Sequence, residues 1–491
     1  MNNNGQEVQI RKEILVRLIQ AFYTDDFEEN TRLIPHDMRP KGAEVPYRCC
    51  IHKERAIIKD RIIAGLGFRI EDDDERTSLV TYAKNALERK EVADGNLTVL
   101  PDACKGCIPN QIYVTDLCQG CVSRPCLSSC KFGAIQVTEG RSKIDYSKCK
   151  KCGMCLSACP YNAIVKIDVP CEKACFVGAI SKDESGFAKI DFDKCITCGK
   201  CVSACPFGAI HEKSQIIDIL QAMKSDKTVI AMFAPSVAGQ FEGSIYQLKT
   251  ALLKAGFDDV IEVARGADVT TENEAKEFIE RMQRGDKFMT TSCCAGYNQL
   301  RKKHLSEINP YASDTKTPLY YTAEIVKQKM PEAITVFVSP CVAKRAEVFE
   351  NNNINYIMSC EELDALFQAK KIVVQDCEET KFEKESSKQA RNYGITGGVA
   401  DAVQKKLRDE SFAKPCVING LNKESIKQLK KYAQDGCCDD GCNLLEVMAC
   451  EGGCIGGNSN ITSIKTAKKN IDSVLSLSYD EEKLRDKDSE S

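Results

Sequence analysis

The chain has 491 residues, of which 29 are cysteine, 4 are histidine and none is tryptophan, and its formal net charge is −3. This length allows two or three domains with substantial cores, and the small net charge gives no electrostatic case for nucleic acid or an acidic membrane surface. No apolar run approaches the roughly 18 residues that span a bilayer, and the polar start MNNNGQEVQI does not resemble a signal peptide. The cysteines are therefore predicted to be metal ligands in a reducing cytoplasm.

Residues 1–100 are predicted to form a helical N-terminal cap. The stretches VQIRKEILVRLIQAFY and DDDERTSLVTYAKNALERK carry apolar residues at helical spacing. Between them, YRCCIHKERAI contains Cys49 and Cys50. These two cysteines are either ordinary thiols or groups placed near a metal cluster.

Residues 101–212 contain sixteen cysteines and an internal repeat. PCLSSCKFGAI (125–135) returns as PCEKACFVGAI (170–180), and KIDYSKCKKCGMCLSACPYNAI (143–164) returns as KIDFDKCITCGKCVSACPFGAI (189–210). Each copy has the pattern of a short strand, a cysteine-rich loop and a short helix. The segment is therefore predicted to be a tandem of ferredoxin-like modules.

The cysteine spacing within these modules predicts iron–sulfur clusters. Each copy contains C-x2-C-x2-C-x3-C-P, in which three cysteines hold one cubane and the fourth serves the other cluster of a two-cluster ferredoxin. Soft, charged thiolates suit such clusters, whereas a zinc site has no use for the fourth cysteine followed by proline. This rule gives three ligand sets: Cys118, Cys121, Cys126 and Cys159; Cys149, Cys152, Cys155 and Cys130; and Cys195, Cys198, Cys201 and Cys175.

Two ligands of the second module, Cys171 and Cys205, are left without partners by this rule. The segment ACKGC supplies an unused C-x2-C pair at Cys104 and Cys107. We therefore expect a fourth accessory cluster on these four cysteines, and the alternative is that the site is empty.

Residues 213–465 are predicted to form an α/β domain, because strand-like KTVIAMFA and AITVFVS alternate with helical ENEAKEFIERMQR and AEIVKQKM. Residues 466–491 are predicted to be a charged, frayed tail. The expected fold class is α+β multidomain: a helical cap, tandem ferredoxin-like modules for two 4Fe–4S clusters each, and an α/β catalytic domain.

Three stretches of this last domain resemble the signature loops of FeFe (iron-only) hydrogenases: TSCCAGY (291–297), SPCVAKRAE (339–347) and EVMACEGGCIGG (446–457). The YRCCIHKERAI segment and the tandem modules resemble the group B branch. The resemblance implies an H-cluster, which is a 4Fe–4S cubane joined to a di-iron centre with CO, cyanide and a dithiolate amine bridge. The implied cubane ligands are Cys294, Cys341, Cys450 and Cys454, with Cys454 also bridging to the di-iron centre.

The same resemblance implies roles for seven further residues around the cofactor. Cys293 would pass a proton to the bridging amine, unless it is only a buried thiol. Lys344 would reach one cyanide, unless it is a surface lysine, while Ser236 in APSVAG would contact the other cyanide and Met448 would pack on the di-iron centre. Glu274 and Glu277, three residues apart in ENEAKEF, would extend the proton route, with Thr317 standing where the family has a serine. The alternative for the two glutamates is a solvated helix face.

The implied activity is reversible conversion of two protons and two electrons to H2 in the cytoplasm, with electrons exchanged with a ferredoxin-like partner. Hydrogenase maturation proteins would build the cofactor. Two other classes remain as alternatives: an H2-sensing or redox-signalling protein with the same cofactor, and a non-catalytic protein of the eukaryotic hydrogenase-like kind. Cys437, Cys438 and Cys442 have no predicted role, and a small metal site, a redox-sensitive loop and plain thiols are all open for them.

Overall fold

The structure is a computed structural model that describes residues 5–42, 48–90, 96–104, 106–108 and 111–478. The final residues of the predicted tail, YDEEKLRDKDSES (479–491), lie outside the described residues. Within the described part of the chain, no helix is both long and apolar enough to cross a membrane.

The N-terminal segment contains four helices of more than two turns. Two of them match the stretches with helical spacing, and Asp26 and Ser78 cap the N-termini of the second and fourth helices with their side chains. The four helices are α1 (Gln6–Phe22), α2 (Phe27–Met38), α3 (Ile51–Gly65) and α4 (Leu79–Glu88), and a short strand, β1 (Leu97–Val99), follows them.

The cysteine-rich segment consists of short helices and two-stranded antiparallel pairs. Its helices are α5 (Pro101–Cys104), α6 (Pro125–Ser129), α7 (Met154–Ala158), α8 (Pro170–Ala174) and α9 (Lys200–Ala204). Its strands are β2 (Gln111–Val114), β3 (Ile135–Thr138), β4 (Arg141–Ile144), β5 (Ile164–Ile167), β6 (Ile180–Lys182), β7 (Ala188–Ile190) and β8 (Ile210–Glu212).

The two ferredoxin-like modules are nested rather than consecutive. In the first module β2 pairs with β5, and β3 forms a hairpin with β4. In the second module β6 forms the hairpin with β7, but the partner of β8 is β1, which precedes the whole first module. The second module therefore begins at residue 97, is interrupted by residues 111–167 and then resumes, whereas the sequence predicted a plain tandem that begins at 101.

The remaining residues form an α/β domain with two parallel sheets, in the strand orders β10-β9-β12-β13 and β11-β15-β14. The strands are β9 (Val229–Phe233), β10 (Asp259–Glu262), β11 (Met289–Thr290), β12 (Ile334–Val338), β13 (Tyr356–Met358), β14 (Pro415–Asn419) and β15 (Leu444–Met448). The helices are α10 (Ile216–Lys224), α11 (Ile245–Ala255), α12 (Ala264–Arg284), α13 (Ala295–His304), α14 (Pro318–Lys329), α15 (Lys344–Phe349), α16 (Cys360–Ala369), α17 (Lys388–Arg391), α18 (Gly398–Lys406), α19 (Lys423–Asp435) and α20 (Ile464–Ser476).

Helix α20 differs from the prediction of a frayed tail from residue 466 onward. Ser463 caps its N-terminus, and Ala467, Ile471 and Val474 are buried on its inner face. Gly239 approaches this helix so closely that an added Cβ would lie 2.8 Å from the carbonyl oxygen of Ala467. The ordered fold therefore continues to at least residue 476.

The cap and the second ferredoxin-like module both pack on the α/β domain. In the cap, the Arg11 guanidinium donates two hydrogen bonds to Glu361 on α16, at 2.6 and 2.5 Å. In the second module, the Asn458 side-chain amide donates to the carbonyl oxygen of Cys198 at 2.6 Å, and the Lys303 ammonium donates to that of Cys195 at 2.8 Å. These contacts place one cysteine-rich loop directly against the catalytic loops.

Candidate active site

Four loops that begin at the carboxyl ends of parallel strands build the site. APSVAG follows β9, TSCCAGY follows β11, SPCVAKRAE follows β12, and ACEGGC follows β15. Two of these strands belong to each of the two parallel sheets, and within each sheet such loops open on the same edge, which is where α/β proteins place their ligand sites. Residues far apart in sequence are brought together there.

The four predicted cubane ligands share one enclosure. Burial and, next, the charge of Cys294 raise the pKa of the Cys341 thiol to about 12. Burial also raises the pKa of Cys450 and Cys454, and the charges of Cys341 and Cys294 raise both further; Cys454 has the same effect on Cys450. Thiols that influence one another in this way favour a bound cationic cluster, because burial disfavours their thiolate forms unless a positive charge compensates them.

The donor set fits a cubane better than a single metal ion. A tetrahedral zinc ion holds its thiolates about 2.3 Å from one centre. Among the described residues, no three His, Cys, Asp or Glu side chains converge on one ion in that way. A four-iron cubane is larger than one ion and requires sulfur ligands that stand farther apart, and the amide of Ala449 already donates to the sulfur of Cys294 at 3.4 Å.

A second indication of a bound group comes from Ser236, whose hydroxyl lacks a hydrogen-bond acceptor. Its side chain is fully buried and its hydroxyl has no hydrogen-bond partner among the described residues. A buried hydroxyl without a partner costs free energy, so such a group calls for an explanation. An anionic ligand of a cofactor in this enclosure would supply the acceptor that Ser236 lacks.

Lys344 is also buried rather than on the surface, with 12 % of its side chain exposed. Burial opposes its charge, but the carboxylate of Glu347 outweighs that effect and raises the pKa of Lys344. Glu347 accepts hydrogen bonds from the Lys344 ammonium and from the Thr317 hydroxyl. The charge of Lys344 is felt by Cys341 and Cys454, which places the ammonium beside the cubane pocket.

Cys293 and Met448 occupy the same apolar wall of the enclosure. Both cysteines of the pair, Cys293 and Cys294, pack against a cluster that contains Met448 and Tyr393. Burial raises the pKa of Cys293, and the next strongest influence is the negative charge of Glu274. Cys293 therefore stands between the pocket and the first of the two glutamates.

Glu274 is fully buried, which excludes a solvated helix face. One oxygen of its carboxyl accepts the amide of Ser292 at 3.2 Å, and the other has no partner in the described structure. Burial raises its pKa to about 8. A carboxyl that exchanges a proton near neutral pH is suited to general acid–base work.

Glu277 lies one turn further along α12, next to residues 313–315, which line an open cleft. It accepts the Ser313 hydroxyl at 2.7 Å, the Thr315 hydroxyl at 2.8 Å and the Asp314 amide at 2.9 Å. Although burial acts in the opposite direction, these donors lower the pKa of Glu277 below its ordinary value. Glu277 is thus held ionised while Glu274 is not.

The hydroxyl between the two glutamates belongs to Ser313, and this differs from the prediction of Thr317. Ser313 donates to Glu277 and also lowers the pKa of Glu274 against the larger effect of burial. Thr317 instead caps α14 and donates to Glu347. Matching by local motif missed Ser313, although YASDTKTP contains both hydroxyl residues within five positions of each other.

All four accessory cysteine sets come together in space. The four cysteines of the first set line one small cavity. In each of the other three sets, the charges of the remaining members raise the pKa of one cysteine of the set. In the fourth set, burial raises the pKa of Cys171 to about 12, with further contributions from Cys205, Cys104 and Cys107. The nested topology explains this set, because β1 delivers Cys104 and Cys107 to the second module as β2 delivers Cys118 and Cys121 to the first.

The third accessory set lies next to the catalytic pocket. The charge of Cys198 contributes to the raised pKa of Cys450. The carbonyl of Cys198 is held by Asn458, four residues after Cys454. The third cysteine set and the catalytic pocket thus meet at one interface between the second ferredoxin-like module and the α/β domain.

The cysteines without a predicted role are placed as follows. Cys442 pairs with Cys416 in a disulfide, with the two Cα atoms 6.0 Å apart, so it does not join Cys437 and Cys438 in a metal site. Cys437 is exposed and Cys438 is buried. The sulfurs of Cys49 and Cys50 are 3.7 Å apart at the start of α3.

Residues 227–458 match the family described as "Iron only hydrogenase large subunit, C-terminal domain", and residues 142–165 and 188–211 match the 4Fe-4S binding domain. Iron hydrogenase 1 of Clostridium pasteurianum is 28% identical over 394 residues, which cover 68% of this chain and 67% of that protein. The NADP-reducing hydrogenase subunit HndD of Solidesulfovibrio fructosivorans is 26% identical, covering 50% of this chain and 52% of that protein. The periplasmic [Fe] hydrogenase large subunit of Nitratidesulfovibrio vulgaris is 27% identical, covering 50% of this chain and 72% of that protein.

The cysteine sets and the parallel-sheet pocket define an iron–sulfur protein with a buried redox site. By these matches the chain is similar to FeFe hydrogenases and carries ferredoxin-type modules. Hydrogenase is the enzyme class that they support, and an H-cluster with accessory 4Fe–4S clusters is the corresponding cofactor set. The chain spans between about half and three quarters of the length of these relatives.

Proposed function

We propose that the protein catalyses the reversible interconversion of H2 with two protons and two electrons, and exchanges those electrons with a ferredoxin-like carrier. The observation that carries the proposal is the joining of a four-thiol pocket to a buried acid–base chain. Neither a structural iron–sulfur site nor an electron-transfer protein has a use for a fully buried carboxyl whose pKa is about 8.

The H-cluster, when bound, supplies the di-iron centre at which the H–H bond is formed or broken. Cys294, Cys341, Cys450 and Cys454 would hold the cofactor, and Cys454 would bridge its two parts. Lys344 and Ser236 would each donate to a cyanide ligand. This accounts for the burial of the Lys344 ammonium beside the pocket and for the Ser236 hydroxyl, which has no partner among the described residues. Met448 would close the apolar side of the pocket. Maturation proteins would be needed to build the di-iron part.

The protein's own side chains would move the protons. Cys293 would hold a proton at its sulfur beside the cofactor, and Glu274, whose charge acts on that thiol, would exchange it. Ser313 would connect Glu274 to Glu277, which reaches the cleft that Ser313 and Asp314 line. In the opposite direction, the same groups would return protons from H2 to solvent.

Infrared spectroscopy of protein produced together with the maturation proteins tests this proposal. We expect bands of CO and cyanide ligands, together with H2 evolution from reduced methyl viologen. An H2 sensor with the same cofactor would show the bands with little turnover, and a non-catalytic iron–sulfur protein would show neither. Iron–sulfur absorption without those bands would contradict the proposed H-cluster site.

The Cys293→Ala variant tests the proton route at the cofactor. We expect the infrared bands to persist while H2 turnover falls by about 10²- to 10⁴-fold, the range typical of losing a proton-transfer group. Cys437→Ala, which changes an exposed thiol outside the site, is the matched control and should retain the parent activity. Unchanged turnover in Cys293→Ala with an intact cofactor would remove Cys293 from the route.

A further inference from the structure

The second ferredoxin-like module docks on the α/β domain through one face, which we call the docked face and define as Phe176, Val177, Ile196, Thr197 and Lys200. Phe176, Val177 and Ile196 pack in a core cluster with residues of the α/β domain, and Ile196 is 1% exposed. The Lys200 ammonium donates to the carbonyl oxygen of Leu421 at 2.5 Å. This face surrounds the third cysteine set and lies against the catalytic pocket.

The internal repeat identifies the equivalent face of the first module. Aligning the two copies gives Lys131, Phe132, Lys150, Lys151 and Met154, which we call the open face. The backbone is equivalent as well, since Lys151 and Thr197 share the same left-handed conformation, with φ of 56° and 52°. All five residues of the open face are exposed.

The open face is both apolar and basic. Phe132 and Met154 are 46% and 38% exposed, and five further large apolar residues of the first module are exposed: Leu117, Val122, Val137, Tyr146 and Tyr161. Of these seven, Phe132 and Met154 belong to the open face. In the described structure, Lys131, Lys150 and Lys151 take part in no ion pair, whereas Arg141, Lys143 and Lys148 of the same module do.

The net charge also differs between the two modules, and the first module is the more positive one. Residues 111–168 carry eight Lys or Arg against four Asp or Glu, which gives a net charge of +4 in a chain whose overall charge is −3. Residues 169–212 carry five basic and six acidic residues, which gives −1. Among the Lys, Arg, Asp and Glu side chains, the positive charge is thus concentrated on the module whose corresponding face is exposed in the described structure.

From these observations we propose that the open face is the docking surface for an acidic electron-carrier protein, which exchanges electrons with the cluster on Cys149, Cys152, Cys155 and Cys130. Because the two modules are copies of one repeat, the carrier would bind the first module at the position equivalent to the one at which the α/β domain contacts the second module. Cys152 is itself exposed, so a docked partner can approach its cluster closely. A partner of opposite charge is steered to such a face, and the steering weakens as salt is added. This proposal rests on the proposed hydrogenase activity.

The test compares two electron donors on the intact enzyme. Lys150→Glu/Lys151→Glu reverses two charges of the open face, and Lys254→Glu/Lys430→Glu makes the same change of charge on exposed helix residues of the α/β domain. H2 evolution is measured with a reduced, acidic two-cluster bacterial ferredoxin and with reduced methyl viologen. We expect kcat/KM for ferredoxin to fall about 10-fold or more at low salt in the open-face variant, with a smaller salt dependence, while the control variant stays near the parent.

Methyl viologen separates the possible failures. If the parent protein evolves no H2 with viologen, the proposed function fails. If viologen turnover is normal and ferredoxin kinetics are unchanged in the open-face variant, the docking surface is elsewhere and the present proposal fails. An equal fall with both donors would show that these lysines support the cluster rather than the partner, which also overturns the proposal.

Carbodiimide cross-linking of the parent enzyme to the same ferredoxin gives a second measurement that needs no variant. This reagent joins lysine amines to carboxylates that are in contact. Cross-links at Lys131, Lys150 or Lys151 are expected, and cross-links found only on other lysines would overturn the proposal.

Discussion

At the scale of single residues, the site depends on which hydroxyl stands between the two glutamates. The Ser313 hydroxyl donates to Glu277 at 2.7 Å and acts on Glu274, whereas the Thr317 hydroxyl donates to Glu347. We expect Ser313→Ala to lower H2 turnover by about 10- to 100-fold, somewhat less than the loss of an acid itself. Thr317→Val removes a hydroxyl from the neighbouring cleft wall and is the matched comparison. A larger loss in Thr317→Val than in Ser313→Ala would restore Thr317 to the proton route.

The two glutamates should affect stability with opposite dependence on pH. The folded-state pKa of Glu274 is raised from 4.5 to about 8, so its stabilising contribution is present below the unfolded pKa and is lost as the pH rises to about 8. We expect Glu274→Gln to melt at a progressively higher temperature than the parent between pH 5 and pH 8. The upper limit of this gain is roughly 4 kcal/mol, because one pKa unit corresponds to about 1.4 kcal/mol.

Glu277→Gln provides the contrast for that measurement. The folded-state pKa of Glu277 is lowered, so its contribution is present above the unfolded pKa and is lost as the pH falls through the folded value. Glu277→Gln should therefore melt below the parent at pH 7 and approach it in acid. Melting curves of cofactor-free protein that shift equally at all pH values in both variants would contradict the assignment.

At the scale of elements, the first ferredoxin-like module is an insertion in the second. Its outer strands β2 and β5 are antiparallel partners, with Gln111 opposite Ile167, so the insert starts and ends at neighbouring points. Insertions with adjacent ends on the surface are generally tolerated and can be removed without disturbing their host. The nesting also accounts for the distance in sequence between Cys107 and Cys171.

Replacement of residues 111–167 by a short Gly-Ser linker should leave a folded protein. The third and fourth cysteine sets and the catalytic pocket keep all their ligands, while the first and second sets are lost. We expect about eight fewer iron atoms per chain, H2 evolution with methyl viologen retained, and infrared bands unchanged. Aggregation, or loss of the CO and cyanide bands, would show that the inserted module supports the rest of the fold.

Much of this organisation could be predicted from sequence because cysteine spacing and short loops are local signals. The spacing C-x2-C-x2-C-x3-C-P predicted three ligand sets, and the three signature loops indicated the pocket around Cys294. The nested topology could not be predicted, because the partner of β8 lies 113 residues upstream, at Leu97–Val99, and so short a strand carries little pattern. Ser313 was missed for a related reason, since only the packing of α12 against the 311–317 segment distinguishes it from Thr317.

At the scale of the whole molecule, the third accessory cysteine set stands next to the catalytic pocket, and the fourth set stands beside the cap. Lys182 donates to the sulfur of Cys104 at 3.2 Å, and the Ala188 amide donates to the same sulfur at 3.1 Å. Hydrogen bonds and positive charge at a ligand sulfur stabilise the reduced form of a cluster. These two contacts therefore favour the reduced form of the fourth cluster.

The double variant Cys104→Ala/Cys107→Ala tests whether this cluster exists. A cubane with only two protein thiolates is labile, so we expect the loss of about four iron atoms per chain in one step. The other clusters should survive, because none of their ligands changes, and EPR of the reduced protein would report them. Identical iron content in variant and parent would mean that the chain carries three accessory clusters and that Cys104 and Cys107 are ordinary thiols.

The pairing of Arg11 with Glu361 has a consequence for how the protein is made. These residues are 350 positions apart, and α1 packs along α16, which ends at Ala369. At about 5–20 residues per second, the ribosome needs roughly 20–70 seconds to reach that point, so α1 cannot complete its packing on α16 before then. Cys104, Cys171 and Cys205 belong to the same buried core as the cap helices. All the cysteines of the fourth set are therefore synthesised before the cap can complete its contact with α16.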